Sequence, residues 1–383
     1  MQALIRRFNF IPVLATFFVM GFCDVVGIAT SYVKQDFGLS ETVAGFIPSM
    51  VFIWFLLFSV PAALLMNRFG RKRMVQLSNA VTCLGMLIPL VSYSFPAVMA
   101  AFILLGVGNT LLQVSLNPLL TNVVSGDKLS SCLTGGQVIK ALSSFCAPFL
   151  ALWATSMLGN WKYLFAIYAA ITLLSFLLLE LTEIPREPAQ SGGTSVGEAF
   201  GLLKDKVVLL FFLGIFFIVG VDVGTNTVSA KLLIERCGLA VEKASLGASI
   251  YFIARTIGAF VGTFLLSRIN DVRYMRVNIV LACGAMVLLF FAPSLPLILA
   301  GIAGVGFFCS SVFSILFSQA LKARPEKSNE ISGFMITGVC GGAVIPPLMG
   351  VAAQAMGSQS GSLAVISLCL GYLFYCAFAL GRR

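Results

Sequence analysis

Histidine is absent from this chain of 383 residues, and charged side chains make up only 10% of it. Without an imidazole, the chain has no His-based proton relay, no His-ligated metal site and no Ser-His catalytic pair. The ten cysteines are scattered and include no Cys-x-x-Cys pair, so we interpret them as packing residues rather than disulfides or metal ligands. Neither a metal-ligand cluster nor a nucleophile–base set is visible in the sequence, which argues against an enzyme with a cofactor.

Most of the chain is apolar. Hydrophobic residues make up 59% of it. Charged residues make up 10%, whereas a soluble domain carries roughly 25%. The apolar runs are about 20 residues long and lack the roughly 10-residue alternation of a β-barrel. The pattern therefore predicts an all-α membrane protein with twelve transmembrane helices. The predicted spans are residues 10–33, 44–66, 74–93, 97–123, 131–157, 163–181, 207–234, 244–266, 277–292, 296–321, 331–357 and 362–381.

The chain repeats itself at an offset of 198 residues. Asp24 in the run 21–25 matches Asp222 in the run 219–223, and the Gly-Val-Gly run 106–108 returns as 304–306. We predict an N-terminal six-helix lobe over 1–181, a cytoplasmic linker over 182–206 and a pseudo-symmetric C-terminal six-helix lobe over 207–383. A duplicated apolar chain with one carboxylate buried at the same place in each half is typical of a transporter. Its substrate site is expected between the lobes, near the bilayer midplane.

The basic residues predict an orientation. On this topology, 18 of the 25 Lys and Arg lie on the side of the N-terminus, the linker and the C-terminus, and five lie on the other side. The positive-inside rule then puts both termini in the cytoplasm, in a bacterial-type inner membrane. The net charge of +10 is explained by this topology, and no soluble basic surface is left for nucleic acid. The expected partners are the lipid bilayer and a small solute, and the default assembly is a monomer.

The loop after the second span carries a recognisable motif. The run Asn67-Arg68-Phe69-Gly70-Arg71-Lys72-Arg73 resembles the basic loop of the major facilitator superfamily, and a degenerate copy follows the eighth span at 267–276. The resemblance implies a gating loop that uses Arg68, Gly70 and Arg71. Two positions depart from the pattern, because Ala63 replaces a glycine and Asn67 replaces an acid. The carboxylate of the usual gating salt bridge is therefore missing at Asn67.

Three further stretches resemble the fucose–galactose–glucose:proton symporter family. They are Gln113-Val114-Ser115-Leu116-Asn117-Pro118, the run 249–260 and the run 334–350. The resemblance implies a fucose permease-like fold and proton-coupled uptake of a hexose or deoxyhexose by alternating access. Gln113 stands where the family has a glutamate, and an amide does not titrate. Ala259 stands where the family has an arginine, but Arg255 lies four residues earlier on the same helical face.

Four ionisable residues fall inside spans: Asp24, Lys140, Asp222 and Arg255. Charges inside the bilayer are costly and mark solute or ion pathways, or pair with one another. We predict that Asp24 or Asp222 couples transport to a proton, with Asp24 preferred because the first span contributes to the site in this superfamily. The alternative is a pair of static salt bridges. Lys140 and Arg255 also suit an anionic solute, and Arg255 is preferred because arginine grips a carboxylate bidentately.

Neutral polar residues complete the predicted substrate site. Amides offer both donors and acceptors to a hydroxyl-rich solute, and an aromatic ring can stack on a sugar. The predicted substrate-binding residues are Gln113, Asn117, Gln137, Lys140, Asn226, Tyr251 and Arg255. Amides also hold helices together, which is the preferred interpretation for Asn109. The Gly/Pro-rich run 338–347 predicts that the eleventh span bends.

Other functions stay open at this point. A carrier of a sugar acid or another organic anion is the first alternative, and a multidrug:proton antiporter is the second. Against the antiporter, Ala147-Pro148-Phe149 lacks the Gly-Pro-Gly-Gly pattern of that class. A receptor or sensor is disfavoured because the chain has no room for a soluble signalling domain.

Overall fold

The computed structural model describes residues 2–39, 47, 49–124, 128–185, 201–239, 244 and 246–379. These residues form α-helices joined by short turns, with no β-strand among them. The helices are α1 (Gln2–Met20), α2 (Val25–Phe37), α3 (Ser49–Phe69), α4 (Arg71–Val91), α5 (Phe95–Val123), α6 (Leu129–Leu158), α7 (Tyr163–Glu180), α8 (Lys206–Cys237), α9 (Leu246–Leu266), α10 (Asp271–Phe291), α11 (Leu295–Cys309), α12 (Val312–Ala323), α13 (Ser328–Thr337), α14 (Gly341–Met356) and α15 (Ser360–Ala379). Most of the predicted linker, residues 186–200, lies outside the described residues.

Eleven helical stretches among the described residues are long and apolar enough to cross a membrane. They correspond to the second to twelfth predicted spans, with α11 and α12 forming one stretch (Leu295–Ala323) and α13 and α14 another (Pro325–Met356). The first predicted span corresponds to α1 and α2, which hold the shorter apolar stretch Ile11–Asp24. The prediction of an all-helical membrane protein is confirmed.

Three of these spans are interrupted inside the apolar region. A 3-10 turn (Gly21–Asp24) separates α1 from α2, Ser310 and Ser311 separate α11 from α12, and a second 3-10 turn (Gly338–Cys340) separates α13 from α14. The last break lies in the Gly/Pro-rich run that predicts a bend. Just after it, a Cβ on Gly341 would overlap the carbonyl oxygen of Phe216, so only glycine lets α14 pack this closely on α8.

The duplication continues into the fold. Helices α4 and α10 have bounds that differ by 200 residues at both ends, and Asn79 of α4 and Ile279 of α10 are both fully buried. Helices α7 and α15 match best at an offset of 198, at which buried Thr172 corresponds to buried Leu370. Matching positions in the two halves can therefore be compared one by one.

The chain divides into two compact units. The first comprises Met1–Gly126, Gly136–Gly201 and Pro325–Thr337, and the second comprises Asp127–Gly135, Leu202–Arg324 and Gly338–Arg383. Each unit thus follows one predicted six-helix lobe, except that 127–135 group with the second unit and 325–337 with the first. The lobe boundaries at 181 and 207 stay a prediction.

Candidate functional site

Asp24 lies at the break between α1 and α2 in the first unit. It is the last residue of the 3-10 turn Gly21–Asp24. Its Oδ2 accepts a hydrogen bond of 2.6 Å from the hydroxyl of Ser144, and the thiol of Cys23 donates to Oδ1 at 3.4 Å. The Asp24 side chain is exposed. The expectation that both carboxylates are buried is therefore wrong for Asp24, which ends the 3-10 turn at the break between α1 and α2 instead of lying inside a helix.

Close packing against α6 holds the turn in place. A Cβ on Gly21 would lie 2.6 Å from both the carbonyl oxygen of Lys140 and the Cβ of Ser143. Because glycine has no side chain, the turn can lie directly on the segment that carries Lys140 and Ser144. Lys140 itself is half-buried on α6, one helical turn after Gln137, which is also half-buried. The structure thus brings Asp24 to the helix that carries two of the predicted substrate-binding residues.

A ladder of three buried amides runs along α5. Asn109, Gln113 and Asn117 are spaced four residues apart, so they lie on one helical face. Gln113 Nε2 donates to Asn109 Oδ1 at 2.8 Å, and Asn109 Nδ2 donates to the carbonyl oxygen of Met20 at 2.9 Å. Asn109 therefore anchors the residue just before the turn that holds Asp24. This contact fits the interpretation that Asn109 holds helices together.

Asn117 ends this ladder with one acceptor unused. Its Nδ2 donates to the carbonyl oxygen of Gln113 at 2.9 Å. Its Oδ1 is buried, and no described residue donates a hydrogen bond to it. A buried amide oxygen without a donor costs about 1–3 kcal/mol. Asn117 Oδ1 consequently has the capacity to accept one further hydrogen bond.

Three predicted residues form one cluster in the second unit. Asp222 of α8 and Arg255 of α9 are joined by an ion pair of 2.8 Å between Oδ1 and Nε. The hydroxyl of Tyr251, one helical turn before Arg255, also donates to Asp222 Oδ1. Tyr251 is almost fully buried, and the Cβ-free Gly306 leaves room for its ring. The charge of Asp222 is balanced within its own unit.

Asn226 follows Asp222 by one turn of α8. Its side chain is half-buried, and its Oδ1 is a buried acceptor without a donor among the described residues. In the second unit a carboxylate and an unused amide oxygen thus lie four residues apart on one helix, whereas in the first unit Asp24 and Asn117 lie on different elements.

The predicted gating loop connects α3 to α4. Gly70 turns the chain with φ +84°, a conformation that favours glycine, and Arg68 is exposed. Arg71 is buried, and its guanidinium donates to at least five groups among the described residues. Those acceptors are the Pro118 carbonyl oxygen (3.1 Å), Thr121 Oγ1 (2.8 Å), Asn122 Oδ1 (2.6 Å), Ser328 Oγ (2.5 Å) and Asn329 Oδ1 (2.9 Å).

A carboxylate that the sequence reasoning missed lies beside this loop. Asn67 Nδ2 donates to Glu330 Oε1 of α13 at 2.6 Å, and Asn329 Nδ2 donates back to Asn67 Oδ1 at 2.7 Å. Glu330 is buried. The acid that is missing at Asn67 is thus supplied by a residue 263 positions later. Glu330 lies just outside the predicted span 331–357, so it is not counted among the ionisable residues inside spans.

The second unit has a counterpart with the opposite charge, which the sequence reasoning also missed. Asp271 begins α10 as Arg71 begins α4. Its Oδ2 accepts from Ser130 Oγ at 2.6 Å, from Gln319 Nε2 at 3.1 Å and from Lys322 Nζ at 3.0 Å. Ser130 and Ser328, which bind Asp271 and Arg71, are themselves 198 positions apart. That spacing is the signal that could have revealed both clusters.

Known proteins resemble the chain over nearly its full length. The family model of the Major Facilitator Superfamily matches residues 13–347. The glucose/galactose transporter of Brucella abortus is 25% identical over 380 residues, which cover 94% of this chain and 90% of that one. The L-fucose-proton symporter of Escherichia coli is 21% identical over 377 residues, covering 89% and 85%. A crystal structure of the Major Facilitator Superfamily transporter FucP, in the outward conformation, matches with a TM-score of 0.85 at 20% identity and covers 97% of this chain and 98% of that one.

Proposed function

Since the chain belongs to the major facilitator superfamily of membrane transporters, we propose that it takes up a hexose or a deoxyhexose by proton-coupled symport with alternating access. The names of the two relatives, a glucose/galactose transporter and an L-fucose-proton symporter, support the substrate class and the coupling. The family membership also means that the protein is a transporter rather than an enzyme. We place it in the cytoplasmic membrane as a monomer with both termini inside, as the distribution of basic residues favours.

The observation that carries the proposal is the difference between the two carboxylates. Asp222 is held by Arg255 and by Tyr251. Asp24 is exposed, and its described hydrogen bonds come from a hydroxyl and a thiol. A carboxylate that exchanges a proton in each cycle has to be reachable by water and by the solute. Asp24 is therefore the proposed proton carrier, as the sequence analysis preferred.

Two unused acceptors support a hydroxyl-rich substrate. Asn117 Oδ1 in the first unit and Asn226 Oδ1 in the second are both buried without a donor among the described residues. Sugar hydroxyls are donors that satisfy such oxygens. Gln113, Gln137, Lys140 and Tyr251 complete the proposed set of substrate contacts, with Asn109 as the residue that anchors the turn.

An organic-anion carrier is the second candidate. The exposure of Arg255 and its ion pair with Asp222 decide how well the site would bind an anion. About a third of the Arg255 side chain is exposed, 35%, so a solute carboxylate can reach it. However, that carboxylate would have to displace Asp222, which already binds Arg255 at 2.8 Å. This competition places the anion carrier behind the sugar symporter.

Transport into proteoliposomes that contain a pH dye tests the substrate and the coupling together. The solutes are fucose, glucose, galactose, N-acetylglucosamine, glucuronate and a lipophilic cation. Acidification of the lumen by one neutral sugar is the expected result. A signal from glucuronate alone would establish the anion carrier instead, and a signal from the cation alone would establish a drug transporter.

The variant Asp24→Asn tests the proton carrier. Uphill uptake of the sugar should be lost, while exchange of sugar for sugar across the membrane continues, because exchange needs no net proton movement. Asp222→Asn is the matched control, since it removes the same charge at the matching position of the other half. Uphill uptake that persists in Asp24→Asn and disappears in Asp222→Asn would move the coupling role to Asp222.

A further inference from the structure

A seam of polar side chains runs through the interior of the first unit, where α7 packs against α1 and α4. Its members are Thr16 of α1, Gln76 and Asn79 of α4, and Tyr168, Thr172, Ser175 and Glu180 of α7. All of them except Glu180 are buried. Along α7, residues 168, 172 and 175 follow at helical spacing, so they share one face. None of these residues belongs to the proposed substrate site.

Asn79 is the least satisfied residue of the seam. It is fully buried, and neither its Nδ2 nor its Oδ1 has a hydrogen-bond partner in the described part of the chain. Two contacts bracket its position. One helical turn away on either side, Gln76 Nε2 donates to the carbonyl oxygen of Phe176 at 3.1 Å and Cys83 Sγ to that of Ala169 at 3.7 Å. Asn79 therefore lies opposite the part of α7 that carries Thr172.

The seam has one end close to the proposed proton carrier. The hydroxyl of Tyr168 is buried and has no partner among the described atoms. Its ring stacks on Phe22 with 3.9 Å between the ring centroids and an angle of 1° between the planes. Phe22 lies in the same turn as Asp24, two residues before it. A stacked pair of rings thus joins this end of the seam to the turn that carries the carboxylate.

The other end of the seam reaches the end of α7 that precedes the predicted cytoplasmic linker. Gln76 Nε2 donates to Glu180 Oε2 at 2.8 Å, and the Oε1 of Gln76 is another buried atom without a described donor. Twelve residues separate Tyr168 from Glu180, which is about 18 Å along the helix. A second branch joins α1, where Ser175 Oγ donates to Thr16 Oγ1 at 3.2 Å.

The matching positions of the second half are apolar except for Arg276, the counterpart of Gln76. At the positions of Tyr168, Thr172 and Ser175, helix α15 has Ile366, Leu370 and Leu373, all buried. Ile279 stands at the position of Asn79. Where Gln76 meets Glu180 in the first half, the Arg276 guanidinium of the second half lies over the ring of Phe378, 5.4 Å from its centroid, and its Nε donates to the carbonyl oxygen of Ala377 at 3.0 Å. Since the helices match and the apolar version packs well, packing alone does not require polar residues in the first half.

We propose that this seam is a water-filled proton path within the first unit, from Glu180 to the Phe22–Tyr168 ring pair, which closes it off from Asp24. The inference rests on the proposed role of Asp24 as proton carrier. Buried waters commonly bind two to four otherwise unpartnered polar atoms, and the unpartnered atoms of Asn79, Gln76 and Tyr168 provide such sites. Glu180 supplies an ionisable group at one end of the seam, and intramembrane ionisable groups mark proton relays in transporters. The ring pair prevents the path from dissipating the proton gradient while it is closed.

Removing the ring pair should open the path even when no sugar is present. The test uses proteoliposomes with an internal pH dye and a potassium diffusion potential set by valinomycin. Tyr168→Ala should cause a proton leak that the original protein lacks. Ile366→Ala is the matched control, because it makes the same kind of cavity at the matching position of the second half, where the counterparts of Asn79 and Thr172 are apolar. It should cause no leak.

Interrupting the path should then suppress the leak. Adding Thr172→Val, which replaces a hydroxyl by a methyl group of similar size, should lower the Tyr168→Ala leak about tenfold or more, since an apolar gap raises the barrier to proton movement. Asn79→Leu should do the same. Equal leaks in Tyr168→Ala and Ile366→Ala, no leak in Tyr168→Ala, or a leak that ignores Thr172→Val would each overturn the proposal.

Two arrangements keep the test decisive. If Tyr168→Ala does not elute as a folded monodisperse protein, Phe22→Ala opens the same ring pair from the other side, and the same outcomes apply. The leak assay contains no sugar, so its result does not depend on whether the protein transports sugar. A failure of the proposed sugar symport would be seen only in the uptake assay. A protein with proton-coupled uptake but no inducible leak would contradict this inference alone.

Discussion

At matching positions of the two halves, the side chains differ in charge, in exposure and in their hydrogen-bond partners. Asp24 is exposed and bonded to Ser144, whereas Asp222 is paired with Arg255 and Tyr251. The repeat keeps the carboxylate at the same sequence position, but Asp24 ends a 3-10 turn whereas Asp222 lies inside the unbroken helix α8, and the partners of the two carboxylates differ. On the proposed role of Asp24, the first half would exchange the proton while the second keeps the Asp222–Arg255 charge pair.

The clusters at the starts of α4 and α10 show the same contrast. Arg71 binds the hydroxyl of Ser328, and Asp271 binds the hydroxyl of Ser130. A serine can serve both clusters because its hydroxyl accepts from a cation and donates to an anion. The two halves thus use the same side chain at matching positions to bind opposite charges.

The largest effect is expected from breaking the Arg71 cluster. Arg71→Ala leaves several buried polar groups without their donor, which should cost about 3–5 kcal/mol. The apparent melting temperature of the detergent-purified protein reports this loss. Arg68→Ala is the control, since it removes the same charge from an exposed position and should change stability by about 0.5 kcal/mol or less. Equal shifts in the two variants would contradict the interpretation.

Next in size is the loss of the charge pair in the second half. Arg255→Gln removes the partner of Asp222 and should cost about 1–3 kcal/mol, less than for a fully buried pair because both side chains are partly exposed. Adding Asp222→Asn should recover part of that cost. In the first half, Asp24→Asn should cost about 0.5 kcal/mol or less. Thermal unfolding of the four proteins compares the halves directly, and a larger loss in Asp24→Asn would reverse the comparison.

A smaller effect is expected from returning an acid to the gating loop. Asn67→Asp puts a second carboxylate beside Glu330 and should cost about 1 kcal/mol through like-charge repulsion. Combining it with Glu330→Gln moves the single acid from α13 to α3 and should restore most of the stability. A double-mutant cycle on melting temperature measures this coupling. Additive effects of the two changes would show that Asn67 and Glu330 do not interact.

The smallest effect is expected at the start of α8. There the N–H of Val207, followed by the Arg324 guanidinium, holds the pKa of the Asp205 carboxyl below its ordinary value of 3.8. The lowered pKa means that the stabilisation is fully present above about pH 4 and is lost as the pH falls through the folded-state value. At pH 7, Asp205→Ala should therefore lower the free energy of unfolding by an N-cap contribution of about 1 kcal/mol. The melting temperatures of the original protein and the variant report this loss. The difference should shrink in acid; a difference that grew in acid would contradict this assignment.

The spans could be predicted because each depends on local composition. Twenty apolar residues form a membrane helix whatever their neighbours are, and the repeat and the loop motif follow from the chain alone. The pairing of Asp222 with Arg255 could be anticipated only as one of two options, since each charge had more than one candidate partner. The 3-10 turn at Asp24 gives no local signal, because the close contact of Gly21 with α6 determines it.

The clusters of Arg71, Asp271 and Asn79 could not be predicted for a related reason. Their partners lie far away in the chain, as with Arg71 and Ser328, which are 257 residues apart. Asn79 draws no attention in the sequence because it is one neutral amide within an apolar span. That no described residue binds its side chain follows from how the helices pack and cannot be read from composition.

The exchange of the segments 127–135 and 325–337 between the units has a consequence for the covalent chain. A cut anywhere in residues 182–206 yields two fragments, and neither contains a whole compact unit. The N-terminal fragment lacks α13, whose Ser332 donates to the carbonyl oxygen of Val114 and whose Gly333 packs on Ser59 and Ala63. Each fragment therefore needs a segment of the other one to complete its compact unit: the N-terminal fragment needs 325–337, and the C-terminal fragment needs 127–135.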